Sequence, residues 1–104
     1  MSDIFRNTRE IPLNYTGFCF VASMDEERYY KNGVLHRTDG PAVRYIWGEE
    51  YWYFEGKRHR LDGPSQTSRR AEKTYHIHGE CLKETDYWKH PLVIKAKLNK
   101  ILSG

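Results

Sequence analysis

A thirteen-residue phrase occurs twice in this chain at a spacing of 23, and such a repeat restricts the possible folds more than any single motif, because equal segments must find equal environments. Tyr30-Lys31-Asn32-Gly33-Val34-Leu35-His36-Arg37-Thr38-Asp39-Gly40-Pro41-Ala42 aligns without gaps on Tyr53-Phe54-Glu55-Gly56-Lys57-Arg58-His59-Arg60-Leu61-Asp62-Gly63-Pro64-Ser65. A further 23 residues on from Gly56 stands Gly79, within Tyr75-His76-Ile77-His78-Gly79-Glu80-Cys81-Leu82. This third copy is degenerate: it keeps a turn and lacks the His-Arg-x-Asp-Gly-Pro part. A backward step from Gly33 lands on Glu10 in unrelated sequence, so residues 1–26 form a separate N-terminal piece.

Turn chemistry converts the repeat into local structure. Asn32-Gly33, between residues 27–31 and 34–36, is a strong hairpin signal, since a type I′ turn requires positive φ at both central residues. Glu55-Gly56 and His78-Gly79 hold the same place. Asp39-Gly40-Pro41 and Asp62-Gly63-Pro64 then break each short strand: Asp accepts backbone N–H groups, Gly takes positive φ, and Pro cannot donate to a ladder. Beyond the first corner, residues 42–47 read as a strand that turns at Gly48-Glu49 into residues 50–54. Alternation along that second strand sets Tyr51 and Tyr53 opposite Trp52 and Phe54, so both faces are expected to be at least half covered. Residues 65–73 read as an exposed edge strand or a mobile hairpin tip, and residues 18–23 as an opening strand.

The period changes near the C-terminus. Thr85 is placed to cap a short helix, and Pro91 ends it while suiting the first turn of a second. In that second helix Ile94, Leu98, Ile101 and Leu102 fall on one stripe, with Lys95, Lys97 and Lys100 mostly off it. The stripe is expected to cover the open end of the sheet. The expected fold is mainly β (α+β), an antiparallel meander of roughly seven to nine short strands capped by one or two C-terminal helices. One domain spans residues 1–104: an N-terminal arm of weak preferences (1–16), the repeat sheet (17–83) and the helical cap (84–104).

Composition agrees with a sheet, because aromatic rings make up 14% of the 104 residues and must supply much of a single small core. No apolar run approaches the roughly 20 residues needed to cross a bilayer, and the N-terminus shows no signal-peptide pattern. With two cysteines, Cys19 and Cys81, the chain is expected to be cytoplasmic with free thiols. The net charge of +3 hides an asymmetry: residues 1–56 carry six Lys/Arg against nine Asp/Glu, residues 57–104 eleven against five. A basic half suggests an acidic partner, either a protein surface or a nucleic acid. Interleaved Asp62, Glu72, Glu80, Glu84 and Asp86 equally suit an ordinary solvated surface.

The candidate sites follow from the same pattern. His and Asp could form an acid/base pair, yet a corner must recur in every copy and a catalytic centre need not. His36, Arg37, Asp39, Gly40 and Pro41, with His59, Arg60, Asp62, Gly63 and Pro64, are therefore read as structural corners, and no catalytic residue is assigned. Trp47, Tyr51, Trp52 and Tyr53 with Arg58, Arg69 and Arg70 make a candidate binding surface, on which rings could stack against bases beside phosphates, although such rings serve a core first. His76 and His78 stand two apart on a strand with Cys81 across the turn, three ligands of a zinc site without an evident fourth. No metal is assigned, and no cofactor is expected.

The phrase N-G-x-x-H-R-x-D-G-P-A, followed by a W-Y-x-x-G strand, resembles a repeat family common in tailed phages and giant viruses. It also looks like a distant relative of the MORN-type hairpin repeats, including those of bacterial antitoxin-like proteins. The resemblance covers residues 27–88, and Thr85-x-x-Trp88-x-His90-Pro91 looks like the usual ending of short members. His36, Arg37, Asp39, Gly40, Pro41 and Ala42 match fully, whereas the second copy has Glu55 for Asn and Ser65 for Ala. The resemblance implies a small phage-encoded, non-enzymatic protein that binds a host protein, such as a defence or transcription component, in the host cytoplasm. A nucleic-acid-binding protein using residues 57–104 is the alternative.

Overall fold

A computed structural model describes residues 3–103. The fold is mainly β, with eleven short strands and two C-terminal helices. In chain order the strands are β1 (Asp3–Phe5), β2 (Gly17–Val21), β3 (Glu26–Lys31), β4 (Val34–Leu35), β5 (Val43–Tyr45), β6 (Glu50–Tyr51), β7 (Tyr53–Phe54), β8 (Lys57–Arg58), β9 (Gln66–Thr67), β10 (Lys73–Ile77) and β11 (Glu80–Leu82). The helices are α1 (Glu84–Trp88) and α2 (Pro91–Ser103). Nine strands form one sheet in the order β1-β2-β3-β5-β6-β9-β10-β11, with β4 beside β3, and β7 pairs with β8.

The three turns form as their sequences dictate. Asn32-Gly33, Glu55-Gly56 and His78-Gly79 all have positive φ at both residues, the geometry a type I′ turn requires. The second and third turns are also held by the copy before them. The Gly56 N–H donates to the Leu35 carbonyl and the Gly79 N–H to the Arg58 carbonyl, both at 2.8 Å. The first turn has no preceding copy, and the N-terminal segment stands in: the Gly33 N–H donates to the Tyr15 carbonyl at 2.9 Å, and the Asn32 N–H to Thr16 Oγ1 at 2.8 Å.

Several expectations change at this point. Residues 3–16, an arm of weak preferences by sequence, are tied to the sheet, since β1 pairs parallel with β2 and the Tyr15 hydroxyl donates to Asp3 at 2.5 Å. That parallel pair makes the sheet mixed rather than a pure antiparallel meander. Eleven strands are present where seven to nine were expected, one of them added by a split of residues 50–54 at Trp52, whose N–H donates to the Ser65 carbonyl at 2.7 Å in register with β6 and β9 while its carbonyl accepts the His59 N–H at 3.1 Å in register with β7 and β8. In the stretch after the second corner β9 lies between β6 and β10 rather than at an edge, and residues 68–72 form the tip of the β9–β10 hairpin, exposed from Arg69 to Glu72. Thr85 lies inside α1, and the capping position falls to Lys83, which supplies no side-chain bond.

The core is small and sits beneath the C-terminal copy, where buried Tyr75, Ile77, Tyr87 and Val93 pack with Leu61 and Leu82. Cys19 and Val21 on β2, and Ala42 and Val43 at the start of β5, are buried as well. Tyr51, Trp52, Tyr53 and Phe54 are all partly covered, as alternation with rings on both faces requires.

Candidate interaction surface of the repeat corners and the C-terminal helix

Each corner is one arginine holding a loop. Arg37 Nε donates to Asp39 at 3.0 Å and Nη1 to the Pro41 carbonyl at 3.2 Å; in the second copy Arg60 repeats both bonds, to Asp62 at 2.7 Å and to Pro64 at 3.1 Å. The guanidinium planes are covered by rings, Arg37 over Tyr29 at 4.0 Å and Arg60 over Trp52 at 3.8 Å, an arrangement that suits a weakly hydrated planar cation. Gly40 and Gly63 are buried against these guanidiniums, and a Cβ there would stand 2.7 Å and 2.9 Å from the Cζ atoms. A side chain there would push the guanidinium out of place, and neither glycine takes the positive φ expected at the corner.

The histidines reach the next copy. His36 Nδ1 accepts the Glu55 N–H at 2.9 Å, and His59 Nδ1 accepts the His78 N–H at 2.8 Å. Each ring thus caps the turn that follows it, with its proton on Nε2. His59 also stacks on His78 at 4.2 Å, and burial together with the neighbouring His78 lowers its pKa. The aspartates bond the arginines, so the His-Arg-x-Asp phrase is an array of ties between neighbouring copies.

The third corner is replaced by α1. By the 23-residue spacing Tyr75 corresponds to Tyr29 and Trp52, and the ring over it belongs to Tyr87, at 4.7 Å, in place of an arginine. The Tyr87 hydroxyl donates to the Arg60 carbonyl at 2.5 Å and accepts the Gly63 N–H at 3.2 Å. Tyr75 in turn donates to Glu84 at 2.5 Å, a bond that with burial pushes its pKa up to about 12. His90 Nδ1 accepts the Leu92 N–H at 3.1 Å and starts α2.

From this seat α2 passes over both corners. A cavity of about 370 Å³ lies beneath it, lined by Trp52, Phe54, His59, the Arg37 and Arg60 corners, Ala96 and Lys100. The side of α2 turned toward this cavity is therefore the one carrying Val93, Ala96 and Lys100, of which Val93 is buried, Ala96 half-buried and Lys100 exposed. The stripe expected to cover the sheet faces solvent instead: Ile94, Leu98, Ile101 and Leu102 are 45%, 53%, 66% and 84% exposed. A periodic pattern specifies a stripe without saying what it meets, and here Val93 alone supplies the large buried apolar anchor.

The residues proposed as one binding surface separate. Tyr51, Tyr53 and Arg58 line a second hollow of about 230 Å³ with Glu26, Arg28 and Tyr45, where Arg58 donates to Gln66 at 2.5 Å and lies over Tyr51. Trp52 lies on the opposite face, in the corner cavity. Trp47 is exposed, stacks on Tyr45 and has Arg69 above it at 5.8 Å, while Arg70 is exposed nearby. Sequence reasoning missed the buried Glu26, tied to Arg28, which also donates to the Tyr30 hydroxyl at 2.7 Å. Alternation at 26, 28 and 30 was the signal available.

His76 and Cys81 are opposite partners in β10 and β11, but His78 does not join them. His78 occupies the turn, which ends the two-residue alternation, and buried His76 bonds the Ser65 hydroxyl at 2.6 Å. Among the described residues no group of three His, Cys, Asp or Glu side chains is arranged to hold a metal ion. Ser65, the departure from Ala42, is thus explained as the partner of His76. Compared with known proteins, the chain matches no protein-family model, no curated protein and no solved structure.

Proposed function

We propose that the protein is a small non-enzymatic protein-binding module, in which the hairpin array is a rigid frame and the outer face of α2 is the contact surface. The carrying observation is the exposure of Ile94, Leu98, Ile101 and Leu102 along one side of a helix docked by its other side. Full burial of one such side chain stabilises by about 1.5–3 kcal/mol, so covering four gives a gross gain that survives the cost of association only as a modest, exchangeable affinity. The resemblance to phage and giant-virus repeats supports a phage-encoded protein acting on a host factor in the cytoplasm, a defence or transcription component. Among the described residues no helix is long and apolar enough to cross a membrane.

The test is capture from bacterial lysate at low and moderate salt by immobilised wild-type protein and by Ile94→Glu/Leu98→Glu. Both positions are exposed, so the variant should melt with the wild type and lose the captured polypeptide. Recovery of nothing above background by the wild type, or equal recovery by both, counts against this reading.

The alternative is nucleic-acid binding, favoured by Arg69 lying over exposed Trp47, a ring beside a cation as single strands use. It predicts a labelled DNA or RNA shift that weakens with salt and with Arg69→Ala/Arg70→Ala. No shift at about 50 mM salt ends it.

A further inference from the structure

We infer that the outer face of α2 receives an amphipathic helix whose apolar ridge is flanked by Asp and Glu. The inference rests on the protein-binding reading above and names the partner's chemistry. At about 100° per residue, Ile94, Leu98, Ile101 and Leu102 lie turned away from Val93, Ala96 and Lys100. Lys97 borders this stripe on one side and Lys95 on the other, both exposed, and no acidic residue occurs from Pro91 to Ser103.

The spacing i, i+4, i+7, i+8 forms a ridge of the kind that interdigitates with another helix. A partner helix laid along it brings its own flanking residues opposite Lys95 and Lys97. Acids there pair with the lysines, and bases there are repelled. The same geometry disfavours a second copy, because α2 laid on α2 sets lysine against lysine. A nucleic acid backbone offers nothing to four aliphatic side chains.

The experiment uses the full chain and three synthetic helical peptides of roughly 20 residues that share one Leu/Ile ridge and carry Glu, Gln or Lys on its flanks. Binding is read by fluorescence anisotropy at about 50 mM and about 500 mM salt. The Glu peptide should bind about tenfold or more tighter than the Gln peptide at low salt, the gap should close at high salt, and the Lys peptide should not bind. Leu98→Glu and Ile101→Glu, each checked for an unchanged melting curve, should abolish binding, and Lys95→Glu/Lys97→Glu should reverse the order of the Glu and Lys peptides.

Equal binding of the Glu and Gln peptides that is lost in Leu98→Glu overturns the acidic partner and leaves the protein-binding reading standing. Peptide binding untouched by Leu98→Glu and Ile101→Glu overturns both. Leu98-dependent self-association, or Leu98-dependent binding of phosphatidylserine vesicles with no peptide bound, overturns the inference by naming a different occupant.

Discussion

Gly33 and Gly56 occupy equivalent positions in two turns and share nearly the same backbone, φ +84° and +81°. Their surroundings differ: a Cβ at Gly33 would run into the Leu13 carbonyl oxygen, whereas one at Gly56 meets only the Val34 side chain at 3.4 Å. Positive φ strains both substitutions alike, so the difference isolates the N-terminal segment. Gly33→Ala should destabilise by about 1–3 kcal/mol more than Gly56→Ala in urea unfolding. Equal midpoints would mean that Leu13 does not sit over the first turn. The histidines add a pH dependence. Burial lowers the pKa of both His59 and His76, with His78 adding to the effect at the first and Arg58 at the second. The unfolded chain therefore takes up protons before the native one. The stability these rings supply is complete above about pH 6.5 and is lost as pH falls through their lowered native values. The urea midpoint should fall between pH 7 and 5, and His59→Asn should reduce that fall.

At the level of elements, α1 matters more than its five residues suggest, because it completes a corner that the third copy lacks. Tyr87→Phe keeps the ring over Tyr75 and removes both hydroxyl bonds, leaving the Arg60 carbonyl and the buried Gly63 N–H without that partner. The expected cost is about 1–3 kcal/mol, whereas Thr85→Ala, at a position that caps nothing, should change the melting temperature little. The turns and corners were legible in the sequence because Asn32-Gly33, Asp39-Gly40-Pro41 and their copies encode backbone dihedrals locally. What the arginines hold was not legible, since covering Arg37 by Tyr29 joins residues on different strands. The seat of α2 escaped for a related reason. Four large apolar residues outweigh Val93 and Ala96 in any count of hydrophobicity, yet it is Val93 that enters the core beside Tyr75, Ile77 and Tyr87. The stripe was thus visible in the sequence and assigned to the wrong neighbour.

Across the whole molecule the two thiols report on opposite ends of the array. Cys19 is buried in β2, with burial raising its pKa, and Cys81 is exposed on the last strand. A thiol reagent under native conditions should modify Cys81 promptly and Cys19 only as fast as β1 and β2 open. Rapid modification of both would contradict the packing of Asp3–Phe5 on Gly17–Val21. The ties that run from each copy to the next turn carry a consequence for how such a chain can vary. Tyr87 recognises only the corner before it, so α2 needs to know nothing of how many copies precede that corner. Another 23-residue unit placed upstream would carry the helix outward by whole strand spacings, each about 4.8 Å, with its lysines and aliphatic ridge unaltered. The position of the helix and the character of its surface are then independent quantities in one chain, the first set by counting units and the second by what α2 displays.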